Sequence, residues 1–176
     1  MWLFLDQRGL DNLRKLSSFE LVLFDTSALL NTPQLFFGCL NGGHRVAVVP
    51  DFIERQLRIT SVDRRQKENR RAVLEKLRAP DGLIILRTDY KENSVRALGL
   101  VNDPHAKRMI MEASTRRKGD AHETGQEKSR VDTRDVALAS IFWVMKRHGI
   151  RVFLETVDFK LKDLAGNLSR LLGAVG

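Results

Sequence analysis

Leu21-Val22-Leu23-Phe24-Asp25-Thr26-Ser27-Ala28-Leu29-Leu30 is the stretch from which the fold is read. Its first four residues are apolar without interruption, the mark of a strand buried on both faces in a parallel sheet covered by helices. The run ends on a carboxylate. Asp25 at the carboxyl end of such a strand, with Thr26 and Ser27 beside it, stands where open α/β sheets bind their ligands. An acid in that position is costly unless something positive meets it. The alternative is that Asp25 caps the following helix, a role that suits Asp, Thr and Ser alike.

Similar apolar runs recur along the chain. Val46–Val49, closed by Pro50 and Asp51, Leu83–Leu86, after the turn Pro80-Asp81-Gly82, and Ile150–Leu154, ended by Thr156-Val157-Asp158, predict the second, third and fourth strands. Helical periodicity fills the intervals. One helix opens at Asn31-Thr32-Pro33. Another begins with Asp51 as its N-cap and turns Phe52, Ile53, Leu57 and Ile59 inward. A third covers about 63–78, and the mixed stretch 88–113 carries a helix through Lys107, Met109, Ile110 and Met111. The helix after Val131 is so apolar at Val136, Leu138, Ala139, Phe142, Trp143, Val144 and Met145 that it must be buried. Phe159, Leu161, Leu164, Leu168, Leu171 and Leu172 mark a closing helix, and residues 1–19 read as an amphipathic helical extension broken near Gly9. Strands alternating with helices predict one α/β domain over residues 1–176, with a central parallel sheet of four or five strands between two helical layers.

Composition narrows the class of partner. The 176 residues are 43% hydrophobic and carry a formal net charge of +8, so a polyanion is the first partner to consider. The lone Cys39 excludes an internal disulfide and suits a reducing compartment. The apolar N-terminal run is too short for a signal peptide or a membrane span, which predicts a soluble, cytoplasmic protein with no membrane partner. Positive charge is concentrated in the 55–78 helices, including Arg58, Arg64, Arg65, Arg70 and Arg71, beyond what i,i+4 pairing balances. Residues 114–130 lose nearly all apolar side chains and predict a mobile basic loop, in which Arg116, Arg117 and Lys118 are candidate phosphate contacts.

The acids form a set. Asp25 and Asp158 both follow strand ends and should share one edge of the sheet. Asp132 and Asp135, three apart at the start of the buried helix, lie on one face near its positive end. Carboxylates gathered together repel, and a hard divalent cation relieves this, with Mg²⁺ or Mn²⁺ the natural occupant. Beside basic helices such an ion activates water against a phosphodiester.

Leu23–Leu30, Val131-Asp-Thr-Arg-Asp-Val-Ala-Leu-Ala139 and Leu154–Ala165 resemble, in order, the first, third and fourth motifs of PIN-domain nucleases. The nearest likeness is to the PIN modules fused to PhoH-type ATPases, over roughly residues 20–166, although these 176 residues contain no P-loop. The resemblance implies a PIN-like three-layer α/β/α fold and Mg²⁺- or Mn²⁺-dependent cleavage of single-stranded RNA. It further implies that Asp25 is the first metal ligand, Asp132 the third-motif acid with Asp135 in its place or alongside, and Asp158 the fourth. The second motif departs from the pattern. The expected glutamate falls on Gln56, and Glu54, two positions earlier, points about 200° away unless the helix starts differently. Glu54 is therefore carried as a candidate ligand, and a catalytically weak RNA-binding or scaffolding module as the alternative function. PIN domains often dimerise, so a homodimer through the N-terminal extension and a protein partner of the antitoxin kind complete the expectations.

Overall fold

The computed structural model describes residues 1–88, 96–116, 130–131 and 133–175. In chain order the elements are β1 (Trp2–Phe4), α1 (Gln7–Lys15), β2 (Glu20–Phe24), α2 (Thr26–Asn31), α3 (Gln34–Leu40), β3 (Arg45–Pro50), α4 (Asp51–Ile59), α5 (Arg64–Arg78) and β4 (Leu83–Arg87). They continue with α6 (Arg96–Gly99), α7 (Pro104–Ser114), β5 (Thr115–Arg116), β6 (Arg130–Val131), α8 (Thr133–Arg147), β7 (Val152–Glu155) and α9 (Phe159–Val175).

The apolar runs form four strands of an all-parallel, five-stranded sheet in the order β1-β4-β3-β2-β7, three of them in its middle and β7 at one edge. Leu21–Phe24 of β2 and Ala47–Val49 of β3 are buried on both faces, as uninterrupted apolar strands require. Helices α2, α4 and α5 pack together as one group and α6 to α9 as another, which matches the expected α/β/α arrangement. Helix α8 is buried from Val136 to Met145, so its periodicity is hidden by apolar residues all round. At the amino end of the sheet, Glu20 bonds Arg45 (3.0 Å) and Arg151 (2.8 Å), which flank it on β3 and just before β7. The Arg45 hydrogen bond leads in holding the Glu20 carboxyl below its usual range. Among the described residues no helix is long and apolar enough to cross a membrane.

Two expectations are corrected at the N-terminus. Residues 1–19 do not form a helical extension throughout, because Trp2–Phe4 is an edge strand parallel to β4. Tertiary pairing decides this: the terminal ammonium donates to Leu83 O (2.8 Å) and Pro80 O (3.2 Å), Ile85 N donates to Met1 O (2.8 Å) and Leu5 N to Arg87 O (2.8 Å). Trp2 and Phe4 stay about half exposed, with the Arg87 guanidinium 4.7 and 5.7 Å from their ring centroids. Gly9 does not break α1 but lies within it, two residues inside a start where Asp6 Oδ1 accepts from Gly9 N (2.7 Å).

Asp51 is also reassigned. Pro50 occupies the N-cap position of α4, and the Asp51 carboxylate instead takes the Thr88 hydroxyl (2.7 Å) and backbone N–H (3.3 Å), tying the ends of β3 and β4. The predicted loop 114–130 is entered from the last residue of α7 and is bounded by the antiparallel pair β5–β6, while residues 117–129 lie outside the described residues.

Glycine positions give a test of this packing. A Cβ on Gly9 would lie 1.7 Å from the Phe4 carbonyl oxygen, whereas one on Gly38, inside α3, meets nothing within 4 Å. Gly9→Ala is therefore expected to lower stability by about 1–3 kcal/mol in urea unfolding. Gly38→Ala is expected to raise it by about 0.5–1 kcal/mol.

Candidate active site

Strand β2 lies between β3 and β7, where the winding of the sheet reverses, and ligands of open α/β sheets bind at the carboxyl ends of strands at such a point. Asp25 follows β2 directly in extended conformation, at the N-cap position of α2. Its side chain makes no capping bond to that helix. Instead Oδ2 accepts from Thr156 Oγ1 (2.9 Å), which lies just past β7, and from Ser27 Oγ. The hydroxyls extend the network: Ser27 Oγ accepts from Val157 N (3.3 Å), and Thr156 Oγ1 from Asp158 N (3.0 Å). Asp158 in turn caps α9, its Oδ1 accepting from Lys160 N (2.8 Å) and Leu161 N (3.3 Å).

This network forms one wall of an open cleft of about 290 Å³. Asp25, Thr26, Ser27, Leu30 and Asn31 line it from the β2–α2 segment, Gln56, Thr60 and Ser61 from α4 and the residues after it, and Gln66 from α5. Arg134 and Asp135 enter from the first turn of α8, where the helix dipole favours an acid, and Asp158 completes the lining. Gln56 is only 2% exposed, and its Oε1 accepts from Thr26 Oγ1 (2.5 Å). Its Nε2 has no hydrogen-bond partner among the described residues. Gln66 forms a capping box with Asp63 and donates to Asn31 (2.9 Å), which joins α5 to α2.

The predicted acids divide accordingly. Asp25, Asp135 and Asp158 share the cleft, while Asp132 lies outside the described residues. Glu54 does not line the cleft. It pairs with Arg58 (2.6 Å) one turn along α4, since a side chain two positions from Gln56 faces the other way. Among the described residues no three Asp, Glu, His or Cys side chains converge tightly enough to enclose a metal ion. The donors around the cleft are carboxylate and hydroxyl oxygens, which suit a hard cation that keeps several waters and is held through one or two carboxylates.

The basic residues divide too. Arg64, Arg65 and Arg71 are exposed on α5, but Arg70 is half-buried and donates to the carbonyls of Thr60 (3.2 Å) and Leu57 (3.5 Å), closing the end of α4. Arg116 lies in β5, and Arg117 and Lys118 lie outside the described residues. Sequence reasoning missed Arg134 and Thr156, whose signals were adjacency to Asp135 and a place between strand end and Asp158. It also counted Phe159 with the apolar stripe of the closing helix, yet Phe159 is 81% exposed beside Asp158.

Thr156→Val removes the hydroxyl that joins Asp25 to the Asp158 backbone and is expected to cost about 1–3 kcal/mol in urea unfolding, with Thr156→Ser recovering most of it. A scan against protein-family models, a search of curated proteins and a search of solved structures each find no match to this chain.

Proposed function

We propose that this chain is a metal-dependent ribonuclease of the PIN type, acting on single-stranded RNA, most simply as an endonuclease. The observation that carries the reading is the meeting of Asp25, Asp135 and Asp158, from three separate elements, in one cleft at the carboxyl ends of β2 and β7. The motif order in the sequence and the net charge of +8 support it. Asp25, turned toward β7 by the Thr156 and Ser27 hydroxyls, presents its remaining oxygen from a fixed direction. Arg134 at the cleft and the exposed Arg64, Arg65 and Arg71 of α5 hold the phosphate backbone without reading bases. Phe159, exposed next to Asp158, offers a face on which an unpaired base stacks. Mg²⁺ or Mn²⁺, carried by Asp25, Asp135 and Asp158, would supply a water of lowered pKa and stabilise the departing oxygen.

A second reading, an RNA-binding or scaffolding module without catalysis, is favoured by Gln56 in place of a second acid and by the loose spacing of the carboxylates. A homodimer, or a protein partner of the antitoxin kind, would use the β1 edge, where Met1, Trp2 and Phe4 are exposed. A cytoplasmic setting accords with the single free cysteine.

Incubating labelled single-stranded RNA with the protein and Mn²⁺, Mg²⁺ or EDTA decides between the two. Cleavage is expected with either metal and not with EDTA, and Asp25→Asn and Asp158→Asn are each expected to reduce it about a hundredfold or more while the proteins remain folded. RNA bound but never cut, under every metal condition, would establish the non-catalytic module.

A further inference from the structure

Gln56 is the one side chain of the cleft that is almost wholly buried and yet incompletely satisfied among the described residues. Its amide offers an acceptor oxygen and an NH₂ group with two donors. The Thr26 hydroxyl answers the oxygen at 2.5 Å, and the nitrogen has no hydrogen-bond partner among the described residues. A buried donor without a partner is a cost that native structures rarely keep without a reason. Its buried neighbours on α4, Phe52, Ile53 and Leu57, show that the helix supplies apolar residues where packing alone is wanted. The position is also one where charge matters. A carboxylate at 56 would add negative charge to a cleft that already holds Asp25, Asp135 and Asp158, whereas a neutral amide adds none and attracts an acceptor.

We propose that Gln56 is a substrate-binding residue whose Nε2 donates to a non-bridging oxygen of the phosphodiester seated in the cleft. The assignment rests on the reading of the cleft as a phosphodiester site and adds the group that receives the phosphate on the α4 side. Thr26 is then a positioning residue, since its hydroxyl holds the amide oxygen and leaves the nitrogen to the ligand. Nε2 is closed off from solvent, so the phosphate oxygen reaches it only as the Gln56 amide rotates toward the cleft, and the dry surroundings then strengthen the contact. The opposite orientation of the amide would leave an oxygen for a cation. The two orientations predict opposite responses to a carboxylate at this position.

The test measures RNA binding and cation binding separately on the whole chain. Fluorescence anisotropy of a labelled single-stranded oligoribonucleotide in EDTA reports RNA affinity without cleavage, and calorimetric titration with Mn²⁺ alone reports cation affinity. Gln56→Met is expected to bind RNA about tenfold more weakly than wild type and Mn²⁺ equally well. Gln56→Glu is expected to lose RNA affinity further, and its folding is checked by thermal unfolding. Wild-type RNA affinity in Gln56→Met overturns the assignment. So does a Gln56→Glu protein that keeps RNA affinity and binds Mn²⁺ more tightly, since Gln56 would then stand in for a cation ligand. If the wild type binds neither RNA nor Mn²⁺, the nuclease reading falls and this proposal with it. If the wild type binds and cuts RNA while both variants match it, only the Gln56 assignment falls.

Discussion

The bond from Thr156 Oγ1 to Asp25 Oδ2 is the constraint on which the cleft depends. An acid at the end of a buried strand must find hydrogen bonds or leave the interior. Asp25 finds them in two hydroxyls, Thr156 just past β7 and Ser27 in the first turn of α2. The choice has geometric consequences. Had the carboxylate capped α2, it would be turned onto that helix's own amides; instead it faces across to the strand that brings in Asp158. Ser27 and Thr156 then use their lone pairs to accept from the backbone of residues 157 and 158, so one carboxylate orders the turn that carries the next. The pairing spans 131 positions of sequence and is possible only because β2 and β7 are neighbours in the sheet.

The two ends of β2 treat their acids differently. Glu20 at the amino end is answered by two guanidinium groups, from Arg45 and Arg151, which neutralise it in place. Asp25 at the carboxyl end is answered by neutral hydroxyls, which orient the carboxylate without cancelling its charge. The carboxyl edge of the sheet, where open α/β sheets bind ligands, thus carries an acid held by neutral groups. It stands within a chain of net charge +8, so the acids of the cleft are set against an excess of positive charge over the chain as a whole. Some of that positive charge is engaged within the fold: Arg70 is occupied with carbonyls at the end of α4, and Arg58 with Glu54.

What was legible in the residues follows from range. Strands β2, β3 and β4 announce themselves because burial on both faces leaves an uninterrupted apolar run, and α8 does so for the same reason, whereas β7 keeps an apolar run at the sheet edge with Phe153 half exposed. Strand β1 was not legible, since three residues carry little periodicity and its conformation comes from backbone bonds to β4 more than eighty residues away. Asp25 and Asp158 could be read from their places after strands. Thr156 and Ser27 could not be read as partners, because a hydroxyl's role is set by what the fold brings to it. Gln56 was visible as a departure from an acidic pattern; that its nitrogen finds no partner among the described residues was not, because that is a property of the packed state.

The site groups are not held with equal firmness, and the difference follows from what holds them. Asp135 lies one position before the continuously buried part of α8, and Gln56 lies between Ile53 and Leu57 on a face of α4 sunk in the core. Their positions are set by close packing, which resists small displacements and transmits strain from any cavity opened beneath them. Asp158 is different: it lies between β7 and α9 and is held by hydrogen bonds to Thr156, Lys160 and Leu161, with the exposed Val157 and Phe159 on either side. A change in the core under α8 or α4 should therefore reach the cleft through Asp135 or Gln56, while a change in local hydrogen bonding reaches it through Asp158. Asp25 belongs to both regimes, rooted in the buried β2 and oriented by hydroxyls, and for that reason it couples the packed wall of the cleft to the hydrogen-bonded one.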